Sequence, residues 1–225
     1  MKVFIHQPDF APWWEYFRRW AYSDLFIVLD DVQFLRQGWH HRDRVKTAQG
    51  VRWLTVPVQK KGRYEQTIAE AEISYETPWR RKHLELLRAA YGRTPQFALV
   101  HGMLAELYAA KPVRLFDLNW SFLRAVAELL GIATPFLFAS ATGVGGAGAE
   151  RILALVRQAG GTVYLTGAGS RAYLSEAVFR EAGVALEIAE GQGPVYGQPH
   201  GEFCPGLSVV DYLMCMPREQ WSVRS

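Results

Sequence analysis

The chain has 225 residues, of which 49% are hydrophobic, so it is long enough and apolar enough to bury a substantial core. Its 25 lysines and arginines nearly balance its 22 aspartates and glutamates, and the formal net charge is +3. This balance excludes the broad positive surface of a dedicated duplex nucleic-acid binder. The two cysteines, Cys204 and Cys215, are too few and too far apart for a zinc cluster, a redox CxxC motif or a disulfide framework.

The amino-terminal residues do not have the pattern of a signal peptide, because His6, Gln7 and Asp9 interrupt the apolar run at once. The longest uncharged run, residues 132–149, is rich in Gly, Ala, Ser and Thr, which indicates a strand and a loop rather than a transmembrane helix. We therefore expect a cytoplasmic protein without a membrane span.

Two short apolar runs near the amino terminus, residues 3–5 and 25–32, enclose a segment with helical periodicity at 12–22. The apolar stripe of that segment consists of Trp13, Tyr16, Phe17 and Trp20. Pro12 suits a first helical turn. The three segments predict a β-α-β unit, and residues 51–58 predict a third strand whose Pro57 suggests an edge or a strand end.

The pattern is helical from 77 to 130 and then alternates again between strands and helices. The later strands are predicted at 134–140, 162–167 and 185–189, and the helices at 150–158 and 173–181. Alternation at both ends predicts a three-layer α/β/α domain over residues 1–225, with a mostly parallel, Rossmann-like sheet and a helical insertion around residues 77–130.

Polar side chains follow the first two predicted strands. In open α/β sheets ligands bind beyond the carboxyl ends of the strands, which is where His6, Gln7 and Asp9 would lie. The alternative is that Asp9 only caps the following helix. Asp30 and Asp31 end the second strand, and because neighbouring side chains point to opposite faces, at most one of them should face a site. A solvated cap is again the alternative.

A basic and aromatic segment, residues 33–50, holds Trp39, Arg42 and Arg44. Guanidinium groups match phosphate and carboxylate geometry, and an indole can stack on a base or a sugar, so the segment is a candidate anion clamp. A solvated basic loop is the alternative. A metal site is not predicted, because the histidines among the neighbouring residues are adjacent in sequence and lack the usual ligand spacing: His40, His41 and Asp43.

Two glycine-containing stretches follow later strands. Residues 143–148 formally match a dinucleotide fingerprint, but the acidic residue expected after the next strand is missing, which favours a simple loop. Small residues at 166–170 followed by Arg171 allow a ligand to approach the backbone closely next to a positive charge. Ser208 and Asp211 are most simply interpreted as helix-capping residues. No catalytic triad is indicated.

With these motifs assembled, the chain resembles the WbqC-like protein family over nearly its whole length. The resemblance is carried by IHQPDFAPWWEYF, LDDVQFLRQGW, RVKTAQGVRWLTVPV, LFDLNWSFLRAVAELLGIAT, VYLTGAGSRAYL, YGQPHGEF and LSVVDYL. Family members usually have Gln-Asn-Arg-Asn-Arg after the tryptophan. Here the corresponding residues 40–44 read HHRDR, which keeps Arg42 and Arg44 and changes the polar groups around them.

The resemblance implies a bacterial cytoplasmic protein encoded among surface-polysaccharide genes. It suggests transfer of an aminoacyl or other acyl group to a nucleotide-activated amino sugar during O-antigen synthesis. Within that hypothesis, His6 and Asp31 are the candidate catalytic residues. The candidate substrate-binding residues are Gln7, Asp9, Gln33, Trp39, Arg42, Arg44, Gly167, Ser170, Arg171, Tyr196 and Gln198. The phosphates of the substrate would be held by Arg42, Arg44 and Arg171.

Two other functions stay open at this stage. The strand, the proline loop with His6 and the helix also resemble the layout of adenylating nucleotidylyltransferases, although the second histidine of their signature is missing. Alternatively, the chain is a non-catalytic binding protein of the biosynthetic cluster, with exposed tryptophans as the partner surface: Trp14, Trp39 and Trp79. The cofactor is left open, and so is a dependence on Mg²⁺, which a nucleotide could carry in without dedicated protein ligands. The oligomeric state is left open.

Overall fold

A five-stranded parallel sheet forms the centre of the protein. The structure is a computed structural model and describes residues 1–169, 174–189 and 193–223. The strands of this sheet are β1 (Lys2–His6), β2 (Leu25–Val28), β5 (Phe136–Phe138), β6 (Val163–Gly167) and β7 (Ala185–Ala189). They lie side by side in the order β5-β2-β1-β6-β7. The predicted mostly parallel α/β fold is confirmed.

The chain leaves the middle of the sheet in two opposite directions. From β1 it passes through α1 (Trp14–Tyr22) to β2 on one side, and from β6 it passes through α6 (Glu176–Glu181) to β7 on the other. Helix α5 (Gly148–Gln158) connects β5 to β6. A crevice opens where such connections diverge, here beyond the carboxyl ends of β1 and β6.

Both faces of the sheet are covered, because alternate strand residues point to opposite sides. Phe4 and Phe26 belong to a buried cluster shared with α1, whereas Ile5 and Ile27 belong to a second cluster shared with α5 and α6. Helix α1 begins at Trp14, two residues later than the prediction that started at Pro12, because Trp13 has an extended backbone.

The predicted helical region contains α2 (Trp79–Tyr91), α3 (Phe97–Ala109) and α4 (Leu115–Leu129). These helices share the buried cluster on the α1 side of the sheet. The carboxyl-terminal helix α7 (Val209–Cys215) joins the same cluster, and the predicted cap is confirmed, since the Ser208 hydroxyl accepts a hydrogen bond from the Val210 amide. No helix among the described residues has both the length and the apolar character needed to cross a membrane.

The predicted third strand exists but does not join the parallel sheet. It is β4 (Gly50–Thr55), which pairs antiparallel with β3 (Arg42–Thr47) in a separate two-stranded sheet. The sequence prediction missed β3 because its charged residues resembled a solvated loop. Its side chains in fact alternate, with Asp43 and Val45 buried and Arg42 and Arg44 partly exposed.

One buried amide fixes the loop after β1 against the turn that precedes β3. The Asn119 side chain on α4 is fully buried, and its Nδ2 donates to the carbonyl oxygens of Pro8 and His40, each at 2.7 Å. The Phe10 amide also donates to the Trp39 carbonyl at 3.2 Å. The helical region therefore holds together two loops that are distant in sequence.

Replacing this amide should destabilise the fold. Asn119→Ala leaves two buried carbonyl groups without their donor, and we expect the free energy of unfolding to fall by about 2–4 kcal/mol in urea denaturation. The matched control is Ser121→Ala, an exposed position on the same helix, which should change it by less than about 0.5 kcal/mol. Equal stability of the two variants would contradict this role for Asn119.

Candidate functional site

A cleft with a volume of about 710 Å³ lies at the carboxyl ends of β1 and β6, beside the amino terminus of α5. Among the predicted site residues, five line this cleft: His6, Gln7, Asp31, Gln33 and Gly167. A volume of this size is typical of pockets for small-molecule ligands. The cleft therefore occupies the position where α/β sheets bind their ligands.

The imidazole of His6 is oriented by two acceptors. Its Nδ1 is 3.1 Å from the Gln7 carbonyl oxygen and 3.5 Å from Oδ2 of Asp9. Because both neighbours accept hydrogen bonds, the proton is held on Nδ1 and the lone pair is on Nε2. The side chain is 24% exposed, at the cleft. Burial lowers the pKa of His6 below its ordinary value of 6.5, against the opposing effect of Asp9. The ring is therefore a neutral base at pH 7.

Asp9 lies behind His6 and does not line the cleft. It is only 2% exposed, and its Oδ1 is 2.9 Å from Nδ1 of His40. One buried carboxylate thus supports two imidazoles, one from the loop after β1 and one from the turn before β3. The structure places Asp9, predicted to bind substrate directly, as a support for His6.

Asp30 and Asp31 lie beyond the end of β2 and have different partners. Asp30 accepts hydrogen bonds from the amide and the hydroxyl of Ser140, at 3.0 and 2.6 Å. Asp31 lines the cleft and pairs with Nη2 of Arg151 at 2.6 Å. The Arg151 Nε also donates to the Val144 carbonyl at 3.1 Å. Asp31, predicted to be catalytic, therefore holds an arginine in the cleft wall.

Arg19 on α1 also lines the cleft, although it is not among the site residues predicted from the sequence. The residue is only 9% exposed, and its guanidinium lies against Gly167, where a Cβ atom would be 2.7 Å from Nη2. Burial lowers the pKa of Arg19 from its ordinary value, although nearby Glu15 raises it. No sequence signal marked this residue, because Arg19 is outside the apolar stripe of its helix and resembles a solvated side chain.

The glycine run 143–148 also reaches the cleft, although the sequence favoured a simple loop. Gly146, Ala147 and Gly148 line it, and α5 begins at Gly148. Gly146 and Gly148 have positive φ angles of 90° and 60°, which glycine adopts without strain. The run therefore forms the turn that presents the amino terminus of α5 to the cleft.

The predicted anion clamp is not assembled in this cleft by the described residues. Arg42 and Arg44 do not line it: Arg42 stacks 4.5 Å from the ring centre of Trp53, and Arg44 donates to the Gly206 carbonyl at 3.0 Å. Trp39 packs against the same Trp53 with ring centres 5.5 Å apart. Ser170 and Arg171 lie outside the described residues.

Tyr196 and Gln198 contact a buried carboxylate rather than the cleft. The Tyr196 hydroxyl and Gln198 Nε2 donate to Oδ1 of Asp211 at 2.7 and 2.9 Å, and the Tyr91 hydroxyl donates to Oδ2 at 2.5 Å. Asp211 is fully buried, and burial raises its pKa. Asp211 lies in the first turn of α7, as predicted, and its carboxylate in addition joins the 193–206 segment to α2.

The tryptophan surface expected of a scaffold protein is also wrong for two of its three members. Trp14 and Trp79 are 8% and 4% exposed, and only Trp39, at 40%, is exposed. The buried indoles donate to backbone carbonyls of Ser222 and Ser74, both at 3.1 Å. Trp14 and Trp79 are core residues and cannot form a partner surface.

Three polar residues that follow Trp39 in the sequence are buried: His40, His41 and Asp43. Burial lowers the pKa of His41 to about 4 and raises the pKa of Asp43 to about 8.

Within the described ranges, no group of three or more His, Cys, Asp or Glu side chains is arranged to hold a metal ion.

These shifts predict how stability depends on pH. Between about pH 4 and 8 folded Asp43 keeps a proton that the unfolded chain has released, so its effect lowers stability as pH rises. His41 has the opposite effect, but only from about pH 4 to its ordinary 6.5. From pH 6.5 to 8 we therefore expect the free energy of unfolding to fall, by up to about 1.4 kcal/mol per pH unit.

Asp43→Asn should make this decline shallower, because the amide cannot ionise and still accepts the hydrogen bond from the Arg44 backbone amide. The exposed Asp117→Asn is the control and should keep it. Denaturant unfolding at pH 6.5, 7.2 and 8.0 measures the difference. An unchanged slope in Asp43→Asn would refute the assignment.

Comparison with known proteins supports a single family. The profile of the WbqC-like protein family matches residues 7–223. The chain is also 36% identical over 214 residues to the uncharacterized protein Rv1507c of Mycobacterium tuberculosis, an alignment that covers 94% of this chain and 92% of that protein. No solved structure is significantly similar to the chain.

Proposed function

The chain belongs to the WbqC-like protein family, and from that premise we propose that it is a transferase that attaches an aminoacyl or other acyl group to a nucleotide-activated amino sugar. The observation that carries the proposal is the pair formed by Asp9 and His6 at the cleft. A neutral imidazole with a free lone pair at the cleft and a buried carboxylate behind it is an arrangement suited to general-base catalysis. The surface-polysaccharide role comes from the family resemblance.

In this proposal His6 takes the proton from the attacking group of the acceptor. As the amine or hydroxyl of the sugar forms a bond to the acyl carbonyl carbon, Nε2 of His6 accepts its proton. The imidazolium is stabilised by Asp9, whose Oδ2 is 3.5 Å from Nδ1. When the bond from the acyl carbon to its carrier breaks, His6 returns the proton to the leaving group. The acyl group is thereby transferred and His6 is again neutral.

The same geometry gives Asp9 a positioning role. Its carboxylate lies 3.5 Å from Nδ1, beside the Gln7 carbonyl that accepts from this nitrogen, and both oxygens favour the tautomer with the lone pair on Nε2, towards the cleft. An asparagine at this position can instead donate its amide hydrogen to Nδ1, which would move the imidazole proton to Nε2. The acceptor would then meet a donor where a base is needed.

We expect His6→Asn to lower the transfer rate by about 10²–10⁴-fold with little change in substrate binding, because only the base is lost. Asp9→Asn should lower the rate as well, through the changed tautomer. His101→Asn on α3 is the control, since that imidazole contacts the Leu84 carbonyl and does not line the cleft. Mass spectrometry of nucleotide-activated amino sugars incubated with acyl donors measures transfer.

The pH profile separates a base from a structural histidine. Because the pKa of His6 is lowered below 6.5, the rate should rise with pH and reach half of its maximum below pH 6.5. Full activity of His6→Asn would exclude His6 as the base. Release of pyrophosphate from ATP during the reaction would support adenylation instead of direct transfer.

A further inference from the structure

We propose that the cleft contains a phosphate-binding site formed by Arg19, Arg151 and the amino terminus of α5. The site assigns a position to the phosphates of the nucleotide-activated substrate, and in that identification it rests on the proposed function. It differs from the clamp of Arg42, Arg44 and Arg171 expected from the sequence.

Arg19 places a buried positive charge at the cleft. The residue is 9% exposed and lines the cleft, and its Nε is buried without a hydrogen-bond acceptor. In the described part of the chain, no carboxylate lies within ion-pair distance of Arg19. Glu15, whose charge raises the pKa of Arg19, forms its ion pair with Arg18 at 2.7 Å. A buried cation without a counterion is costly, and a bound anion removes that cost.

Gly167 makes room for this guanidinium. A Cβ atom at position 167 would lie 2.7 Å from Nη2, 2.8 Å from Cζ and 2.9 Å from Nη1 of Arg19. Any larger residue would displace the whole guanidinium group. Because Gly167 has no side chain, the guanidinium of Arg19 fits against the backbone of β6 at the edge where the cleft opens.

The amino terminus of α5 faces the same cleft. Helix α5 has 11 residues, and its cap residue, Ala147, offers no side-chain acceptor to the first turn. The backbone N–H groups of a first helical turn lack acceptors within the helix and attract anions. A Cβ atom at Gly148 would meet no atom within 4 Å, so there is open space beside this turn.

The net charge of the residues that line the cleft favours an anion. Among the described residues, the charged ones that line it are Arg19, Arg151 and Asp31, which together leave an excess of one positive charge while His6 is neutral. Arg151 is fixed by its ion pair with Asp31, whereas Arg19 has no such partner among the described residues. Two guanidinium groups and a helix terminus match the several oxygens of a diphosphate.

The phosphate site adjoins the candidate base. The indole of Trp13 is 5.9 Å, between ring centres, from the imidazole of His6, and the Arg19 guanidinium lies 5.9 Å from a Trp13 ring centre. One aromatic side chain therefore contacts both groups. A ligand with its phosphates at Arg19 would carry its sugar past Trp13 towards His6.

Inorganic pyrophosphate and UDP are the probes, measured by isothermal titration calorimetry on the full chain. We expect both to bind the wild-type protein, more weakly as salt rises, and Arg19→Gln to weaken binding at least tenfold. Gly167→Ala should weaken it similarly although every arginine is retained. This second variant keeps the test valid if Arg19→Gln folds poorly, and circular dichroism checks folding. Arg42→Gln is the control and should bind within about twofold of wild type.

Several results would overturn the site: no binding of either probe to the wild-type protein, equal binding by Arg19→Gln, or a loss confined to Arg42→Gln. His6→Asn separates this proposal from the transfer reaction, because it should bind pyrophosphate like the wild type. Binding that requires Arg19 without any acyl transfer would refute the reaction alone. Transfer that is insensitive to Arg19→Gln and Gly167→Ala would refute the phosphate site alone.

Discussion

The buried carboxylate of Asp9 is the constraint on which the site depends. A carboxylate that is 2% exposed needs polar partners, and here the imidazoles of His6 and His40, from two separate loops, lie 3.5 and 2.9 Å from it. Asn119 fixes the same two loops from α4 through their carbonyl oxygens. The sheet brings His6 to the cleft, but the orientation of its ring depends on a turn and a helix that lie far away in sequence.

The two arginines of the cleft are held in different ways, and the difference matters for binding. Arg151 has a carboxylate partner in Asp31, so its charge is balanced and its position is fixed. Arg19 is seated against the bare backbone of Gly167 and has no ion-pair partner among the described residues. An anionic ligand therefore gains most at Arg19, while a neutral base, His6, remains available on the other side of Trp13. Binding and proton transfer are assigned to different side chains.

The sequence predicted the fold better than the site, for physical reasons. Apolar runs such as residues 3–5 and 25–32 identify buried parallel strands, because such strands are covered on both faces. The sequence prediction missed β3 because of its charged residues. Every second position of β3 is buried only because the strand pairs with its partner. Arg19 and Arg151 lie on helices 132 positions apart in sequence (151 − 19), and only tertiary packing brings them to one cleft. Likewise, no local pattern showed that Tyr196 and Gln198 would surround Asp211.

The protonation state of His6 is the most direct test of this account, and it can be read by nitrogen-15 NMR of the imidazole side chains. We predict that His6 is neutral at pH 7 with its proton on Nδ1, that it titrates below pH 6.5, and that Asp9→Asn shifts the proton towards Nε2. A His6 that is charged at pH 7, or that carries its proton on Nε2 in the wild-type protein, would contradict the account. Such an imidazole has no lone pair to offer the cleft.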